Sequence, residues 1–182
     1  MSTRTVLHEA DIARALTRIS HEILESNKGP AGLVLLGIPT RGVTLARRIA
    51  SQIELFGDEP VPCGALDVTM YRDDLHRNPT RAPQRTDIPD GGIDGKVVVL
   101  VDDVLFSGRS IRAALDALQD IGRPAAVRLA TLIDRGHREL PIRPDFVGKN
   151  LPSARDERVQ VRLRETDGEE FVSIAAEGTI ES

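Results

Sequence analysis

Apolar residues recur along the chain at helical spacing in three places. Between 11 and 26 they fall three or four positions apart, which is typical of a helix with one buried face. A second helix is predicted at 43–55. A third is predicted over 111–121, where Gly122 and Pro124 end it.

Hydrophobic runs of strand length alternate with these helices. They predict strands at 33–36, 66–70, 97–101, 127–133, 159–163 and 171–174. Continuous apolar runs such as 97–101 are typical of a sheet that helices cover on both faces. The order of elements therefore predicts an α/β fold with a mostly parallel central sheet flanked by helices. A hairpin turn at Asp167-Gly168 joins the last two strands, which are expected to add an antiparallel edge.

The length of 182 residues fits a single domain. One segment, 71–92, interrupts the alternation of helices and strands. It holds three prolines and four arginines and few residues that could be buried. This segment is therefore predicted to be a long loop or a protruding arm, and loops of this length are often functional.

Charge and composition exclude several classes of protein. The 24 basic and 28 acidic side chains give a net charge of -4, so any nucleic-acid contact requires a local basic patch. The single cysteine, Cys63, excludes a disulfide framework and a cysteine-based zinc site within one chain. Aromatic residues make up 3%, which argues against a base-stacking platform. The apolar runs are too short to span a bilayer and no signal-peptide core is present, so a cytoplasmic protein is expected.

The stretch 97–110 combines a buried strand, two adjacent carboxylates, a glycine-containing loop and the start of a helix. Backbone N–H groups of 107–110 and the positive end of the helix suit a phosphate, and Gly108 allows close approach. Asp102 and Asp103 stand where ligands bind in open α/β sheets and can accept hydrogen bonds from ribose hydroxyls. The pattern predicts binding of a phosphorylated ribose; the competing interpretation is an ordinary acidic turn followed by a helix cap.

Residues 97–110 resemble the phosphoribosyl pyrophosphate (PRPP) motif of the type I phosphoribosyltransferases. The resemblance implies binding of the phosphate and ribose by Asp102, Asp103, Val104, Leu105, Phe106, Ser107, Gly108, Arg109 and Ser110. It assigns the pyrophosphate to the loop that contains Thr40, Arg41 and Gly42. It also assigns the flexible loop that folds over the site and excludes water to Arg72, Asp73 and Asp74.

Residues 134–152 are expected to form a hood over the base, together with C-terminal strands within 159–175. Within the hood, 144–148 looks like the base-binding segment of hypoxanthine-guanine phosphoribosyltransferases. That likeness implies base contacts from Phe146, Val147 and Asp134. Two positions argue against a purine, since Phe106 stands where those enzymes have a carboxylate and Asp134 where they have a lysine.

Further blocks along nearly the whole chain resemble the PyrR family, pyrimidine operon regulators that are also uracil phosphoribosyltransferases. They lie at 16–22, 71–75, 101–105 and 134–143. Several blocks in the same order are more specific than any single motif. Members of that family commonly have tyrosine where this chain has Phe106.

The PyrR resemblance implies a reaction of uracil with PRPP that gives UMP and pyrophosphate. It also implies Mg2+ held mainly through PRPP, with Asp102 and Asp103 as candidate protein ligands. The candidate catalytic residues are Asp103, Asp102 and Arg41. We hypothesise that Asp103 stabilises the positive charge that develops on the ribose. No general base for uracil N1 is assigned.

The resemblance also implies binding of the pyr messenger RNA leader that depends on a uridine nucleotide, UMP or UTP. The candidate RNA contacts are Thr17, Arg18, His21, Arg138, Arg143 and Lys149. For each of them the competing interpretation is an ordinary solvated side chain. One helix face is small for specific RNA binding, so a homodimer or higher homo-oligomer is expected. The alternative function is a salvage phosphoribosyltransferase for uracil, or for hypoxanthine and guanine, without an RNA target; DNA and membranes are not expected partners.

Overall fold

The computed structural model describes residues 3–73 and 85–176. Its elements in chain order are β1 (Arg4–His8), α1 (Glu9–Asn27), β2 (Leu33–Gly37), α2 (Arg41–Gly57), β3 (Cys63–Ala65), β4 (Val97–Leu105), α3 (Arg109–Gln119), β5 (Ala126–Asp134), β6 (Phe146–Asn150), β7 (Glu157–Arg162), α4 (Arg164–Asp167) and β8 (Phe171–Ala176). A short 3-10 helix, Thr69–Tyr71, leads into the predicted arm. No helix in the described ranges is long and apolar enough to cross a bilayer.

A parallel sheet of five strands, in the order β3-β2-β4-β5-β6, forms the centre of the molecule. Strand β4 pairs with β2 on one side and with β5 on the other. The direction in which strands are added reverses between β2 and β4. In open α/β sheets this reversal leaves a crevice at the carboxyl ends of the two strands, which is where ligands bind.

The central strands are apolar at every position because different layers cover the two faces of the sheet. Leu33 and Leu35 pack in one cluster with residues of α1 and α2. The alternate residues, Val34 and Leu36, pack in a second cluster with residues of α3. Helix α1 buries the predicted face, formed by Ile12, Leu16, Ile19 and Ile23.

The C-terminal strands form a second sheet. Strands β7 and β8 pair antiparallel, and β1 completes a three-stranded sheet in the order β1-β8-β7. The predicted antiparallel edge on the central sheet is therefore wrong. The connection between β7 and β8 is the single turn α4, which ends at Gly168 with a φ of 74°, instead of a two-residue hairpin. Strand β1 was not predicted, because it exposes most of its side chains and has no apolar alternation.

Two other predicted elements differ from the structure. The strand predicted at 66–70 is wrong, since the edge strand β3 ends at Ala65. Leu66 and Val68 are buried from a loop, while Met70 is 72% exposed on the 3-10 helix. The segment expected to form the hood, 134–152, contains an unpredicted strand, since Phe146–Asn150 forms β6 at the edge of the central sheet.

Candidate active site

Two aspartates lie at the carboxyl end of β4, which runs four residues beyond the predicted apolar run, to Leu105. Asp102 and Asp103 are both half-buried. An oxygen of Asp102 accepts the N–H of Asp103 at 2.8 Å, and an oxygen of Asp103 accepts the N–H of Val104 at 2.8 Å. The backbone therefore fixes both carboxylates beside the crevice where the strand order reverses.

The two neighbouring carboxylates affect each other's ionisation. Burial and the neighbouring charge of Asp103 raise the pKa of Asp102 well above the usual value, although the cation of Arg72 acts in the opposite direction. A pair of carboxylates that repel each other is stabilised by hydroxyl donors or by a cation. The hydroxyls of a ribose are suitable donors.

The Asp102-Asp103 pair fits the kind of carboxylate ligands that Mg2+ takes in proteins. Within the described ranges, no three His, Cys, Asp or Glu side chains cluster in a way that could hold a metal. Mg2+ is usually bound by one or two carboxylates together with substrate phosphates and water, and Asp102 and Asp103 supply two carboxylates. The raised pKa of Asp102 is consistent with negative charge that a cation would neutralise.

We expect Asp102→Asn to stabilise the ligand-free protein by an amount that grows as the pH rises. Because the pKa of Asp102 is raised on folding, the folded protein keeps a proton that the unfolded chain releases. Wild-type stability therefore falls as the pH rises from the usual aspartate value of 3.8 towards the raised pKa. Thermal unfolding of both proteins from about pH 4 to about pH 8 measures the difference. A difference in Tm that does not change with pH would contradict the assigned direction.

The loop between β4 and α3 is shaped to present backbone N–H groups. Gly108 is the N-cap of α3 with a φ of 91°, and it has no side chain to bond the first N–H groups of the helix. The carbonyl of Ser107 accepts the N–H groups of Glu139 at 2.9 Å and Leu140 at 3.2 Å. The segment after β5 therefore covers a loop that suits a phosphate.

The start of the arm is bonded to this loop and to α3. Arg72 donates to the hydroxyl of Ser110 at 2.7 Å. The guanidinium of Arg109 binds the carboxylates of Asp73 and Glu139. The arm therefore leaves the sheet beside the predicted phosphate site. Asp74, the third residue of the predicted flexible loop, lies outside the described residues.

The loop after β2 packs directly against β4, because glycines in it leave no side chain between the two backbones. A Cβ atom on Gly37 would lie 2.4 Å from the carbonyl oxygen of Gly42, and one on Gly42 would lie 2.4 Å from that of Val101. The N–H of Ile38 also donates to the Val101 carbonyl, at 2.9 Å. These close backbone contacts place the predicted pyrophosphate loop beside the two aspartates. Within the loop, the peptide bond between Pro39 and Thr40 is cis.

Arg41, the predicted cation of this loop, binds a carboxylate from the C-terminal part of the chain. Its Nε donates to Asp167 Oδ2 at 3.0 Å and its Nη2 to Oδ1 at 2.6 Å. The hydrogen bonds to Asp167, together with the charge of Asp103, raise the pKa of Arg41. Sequence reasoning missed Asp167, because an Asp-Gly pair between two strands indicates only a turn.

The predicted base-binding residues lie on β5 and β6, the neighbouring strands at the far edge of the sheet. The ring of Phe146 is 6% exposed and packs in the core, so its stacking on a base stays a prediction. The carbonyl of Val147 accepts a hydrogen bond from Arg18 at 3.0 Å. Asp134, the last residue of β5, forms an ion pair with Arg138 at 2.7 Å.

The ring of Phe106 is held by residues that the sequence did not single out. The guanidinium carbon of Arg135 lies 4.2 Å from the ring centroid, and His137 meets the ring edge-on at 5.9 Å. Arg135 is 8% exposed, and burial lowers its pKa. It donates to Ser153 at 3.1 Å and to the Ala154 carbonyl at 2.9 Å. Phe106 therefore joins the predicted phosphate loop to the predicted hood segment.

The predicted RNA contacts on α1 lie on one face of the helix. His21 is exposed and stacks on Phe56, with ring centroids 4.1 Å apart. Thr17 donates its hydroxyl to a carbonyl of the same helix. Arg18 is exposed but bonds to the carbonyl of Val147 on β6. An RNA role for Arg18 therefore involves a side chain that also braces the predicted base-binding strand.

The predicted RNA contacts in the hood differ in exposure. Arg138 is half-buried and donates to the Phe106 carbonyl at 3.0 Å and to Asp134 at 2.7 Å. Its replacement would disturb the predicted nucleotide site as well as any RNA contact. Arg143 and Lys149 are exposed, and within the described part of the chain their side chains have no hydrogen-bond or ion-pair partner.

Known proteins share this fold. Residues 2–164 match the model of the phosphoribosyl transferase domain family. A hypoxanthine phosphoribosyltransferase from Trypanosoma cruzi gives a TM-score of 0.72 at 18% identity, covering 96% of this chain and 95% of that one. Another from Staphylococcus aureus gives 0.67 at 18% identity, covering 98% and 94%. At this identity the solved structures show the fold alone, and together with the domain match they define a phosphoribosyltransferase.

Relatives with higher sequence identity identify the family within the phosphoribosyltransferases. The protein from Leifsonia xyli subsp. xyli is 70% identical over 98% of this chain and 100% of its own length. Those from Streptomyces coelicolor and Mycobacterium tuberculosis are 64% and 56% identical, each over 95% of this chain and over 90% and 93% of the relative. All three are named Bifunctional protein PyrR. The chain therefore belongs to the PyrR family, and the resemblance found in the sequence is confirmed.

Proposed function

We propose that this chain transfers a phosphoribosyl group from PRPP to uracil and, with UMP or UTP bound, binds the leader of pyr messenger RNA to control pyrimidine biosynthesis genes. The catalytic part of the proposal rests on one observation. Three features lie together at one end of the sheet: the Asp102-Asp103 pair, the loop that ends at Gly108, and the loop whose Gly42 packs on β4. Membership of the PyrR family supports the regulatory half.

Each part of PRPP has a matching group in the site. The 5′-phosphate binds the N–H groups at the start of α3, and the ribose hydroxyls donate to Asp102 and Asp103. The pyrophosphate binds the loop of Thr40, Arg41 and Gly42. Mg2+, when bound with PRPP, neutralises charge on the leaving pyrophosphate.

The reaction exchanges one bond at C1 of the ribose for another. The bond from C1 to the pyrophosphate oxygen breaks and its electron pair leaves with pyrophosphate. Uracil N1 forms the new bond to C1 and loses its proton. The negative charge of Asp103 stabilises the positive charge that develops on the ribose. The arm, tied to α3 through Arg72 and Asp73, restricts access of water to that centre.

The catalytic half is tested with a panel of acceptors. The protein is supplied with PRPP, Mg2+ and uracil, hypoxanthine, guanine or orotate, one at a time, and the nucleotide formed is identified. Uracil is expected to give UMP at the highest kcat/KM. Preferred transfer to hypoxanthine or guanine would overturn the assignment and favour the salvage function.

We expect Arg143→Ala to weaken binding of the pyr leader about threefold to tenfold. The slope of log affinity against log salt concentration is expected to decrease by about one, which corresponds to the loss of one phosphate contact. Arg143 is exposed and without a partner in the described ranges, so its removal changes surface charge and leaves the nucleotide site intact. Arg128→Ala, which removes an exposed arginine from the amino-terminal half of β5, is the matched control. Equal weakening by both variants, measured by filter binding, would show that Arg143 makes no specific contact.

The proposed RNA-binding form is a cytoplasmic homodimer or higher homo-oligomer. Combining the α1 face and the hood of two or more copies enlarges a surface that is small on one chain. Light scattering of the free and RNA-bound protein measures the number of copies. A monomer in both states would contradict this part of the proposal.

A further inference from the structure

We propose that Asp167 is a positioning residue for the pyrophosphate end of PRPP, acting through Arg41. This inference rests on the proposed phosphoribosyl transfer. Asp167 touches no reacting atom, and its role is to fix the guanidinium that meets the leaving group. Residue 167 lies 126 positions from Arg41, in the short helix that joins two strands of the second sheet.

The ion pair between Arg41 and Asp167 has a fixed direction. Two donor nitrogens of Arg41 bind the two carboxylate oxygens, at 3.0 and 2.6 Å, and the side chains are only 22% and 13% exposed. A forked pair of this kind sets the plane of the guanidinium. The guanidinium N–H groups that do not bind Asp167 then have a set direction. Arg41 is the first residue of α2, directly after Thr40, so these N–H groups lie at the predicted pyrophosphate loop.

The carboxylate of Asp167 is itself held by the backbone. Its Oδ2 atom accepts the N–H of Leu163 at 2.8 Å, and Leu163 is completely buried. Farther along α2, Arg48 binds Glu165 and Glu170. The second sheet is therefore joined to α2 at two points, at Arg41 in the pyrophosphate loop and at Arg48 two turns farther along the helix.

The charge of Asp103 also adds to the raised pKa of Arg41, but the hydrogen bonds to Asp167 are the largest cause. Asp167 binds the Arg41 side chain directly and is therefore the group that sets its direction.

The test compares Asp167→Asn with Glu170→Gln, a matched control just after the same helix whose two carboxylate oxygens both bind Arg48. Calorimetry measures the Kd for PRPP with Mg2+, and steady-state kinetics give KM for PRPP and for uracil. Asp167→Asn is expected to raise the Kd and KM for PRPP about tenfold and to leave KM for uracil within about twofold. Glu170→Gln is expected to leave all three within about twofold, and Asp167→Glu to recover part of the loss.

An unchanged or tighter affinity for PRPP in folded Asp167→Asn would overturn the inference. If that variant does not fold, Arg41→Lys serves instead. A lysine keeps the charge but cannot form the fork, so the same rise in Kd is expected, and wild-type affinity would overturn the inference. The proposed function is refuted by a different result, namely a wild-type protein that binds PRPP but transfers nothing to uracil. In that case the measurement of PRPP affinity still tests the role of Asp167.

Discussion

Replacing Asp103 with asparagine is expected to lower kcat/KM for phosphoribosyl transfer to uracil by about a hundredfold or more. The side chain is half-buried at the end of β4, with one oxygen held by the N–H of Val104. As the bond from C1 to pyrophosphate breaks, positive charge builds on the ribose. A fixed negative charge stabilises that state more than the ground state, which is the condition for faster turnover. Asparagine keeps the size and the acceptor oxygen of the side chain and removes only the charge.

Steady-state kinetics with PRPP and uracil measure the effect of Asp103→Asn. Asp116→Asn is the matched control, because Asp116 is an exposed carboxylate on α3. Thermal unfolding of both variants verifies that they are folded. Near-normal turnover of Asp103→Asn would show that its charge does not act on the transition state.

Gly42→Ala is expected to remove measurable PRPP binding and to lower the free energy of unfolding by about 1–3 kcal/mol. The new Cβ atom would lie 2.4 Å from the carbonyl oxygen of Val101 and 3.3 Å from the Cα of Asp102. Both are backbone atoms, so no side-chain rotation relieves the overlap. Either the pyrophosphate loop or the end of β4 must move, and both carry groups that bind PRPP.

The control for Gly42→Ala is Gly57→Ala at the other end of α2. There the added Cβ atom would meet the side chain of Pro30 at 3.4 Å, an ordinary contact. Denaturant unfolding gives the stability of each variant and calorimetry its affinity for PRPP. Wild-type affinity in Gly42→Ala would contradict the close packing of the loop on β4.

The α/β fold and the family could be predicted from the sequence because their signals are local. The central strands are continuous apolar runs since both faces of the sheet are covered. The PRPP motif is a single stretch, 97–110, in which a strand and a helix bracket the loop and fix its place in the fold. The structure bears out the fold, and the relatives confirm the family.

The second sheet and its contacts could not be predicted in the same way. Strand β1 pairs with β8, so Arg4 lies opposite Ile174, and no local pattern indicates this pairing. The ion pair of Arg41 with Asp167 depends on the same long-range packing. An Asp-Gly pair indicates a turn from sequence, and only the assembled structure places this aspartate beside the pyrophosphate loop.

The type of a residue also does not predict whether it is buried or which group it binds, as three of the site residues show. Its aromatic character predicts that Phe146 stacks on the base, whereas its ring packs in the core. Arg18 and Arg138 are predicted RNA contacts, and both donate to backbone carbonyls at the predicted nucleotide site. Replacing either arginine therefore changes two surfaces at once, which is why the exposed Arg143 is the better probe of RNA binding.

The most direct test of the proposed function is binding of the pyr leader RNA by the wild-type protein with and without UMP at one fixed salt concentration. The bifunctional role predicts tight binding with UMP, weaker binding without it, and affinity that falls steeply as salt is raised. Weak binding that does not respond to UMP would contradict the regulatory role and leave only the phosphoribosyltransferase.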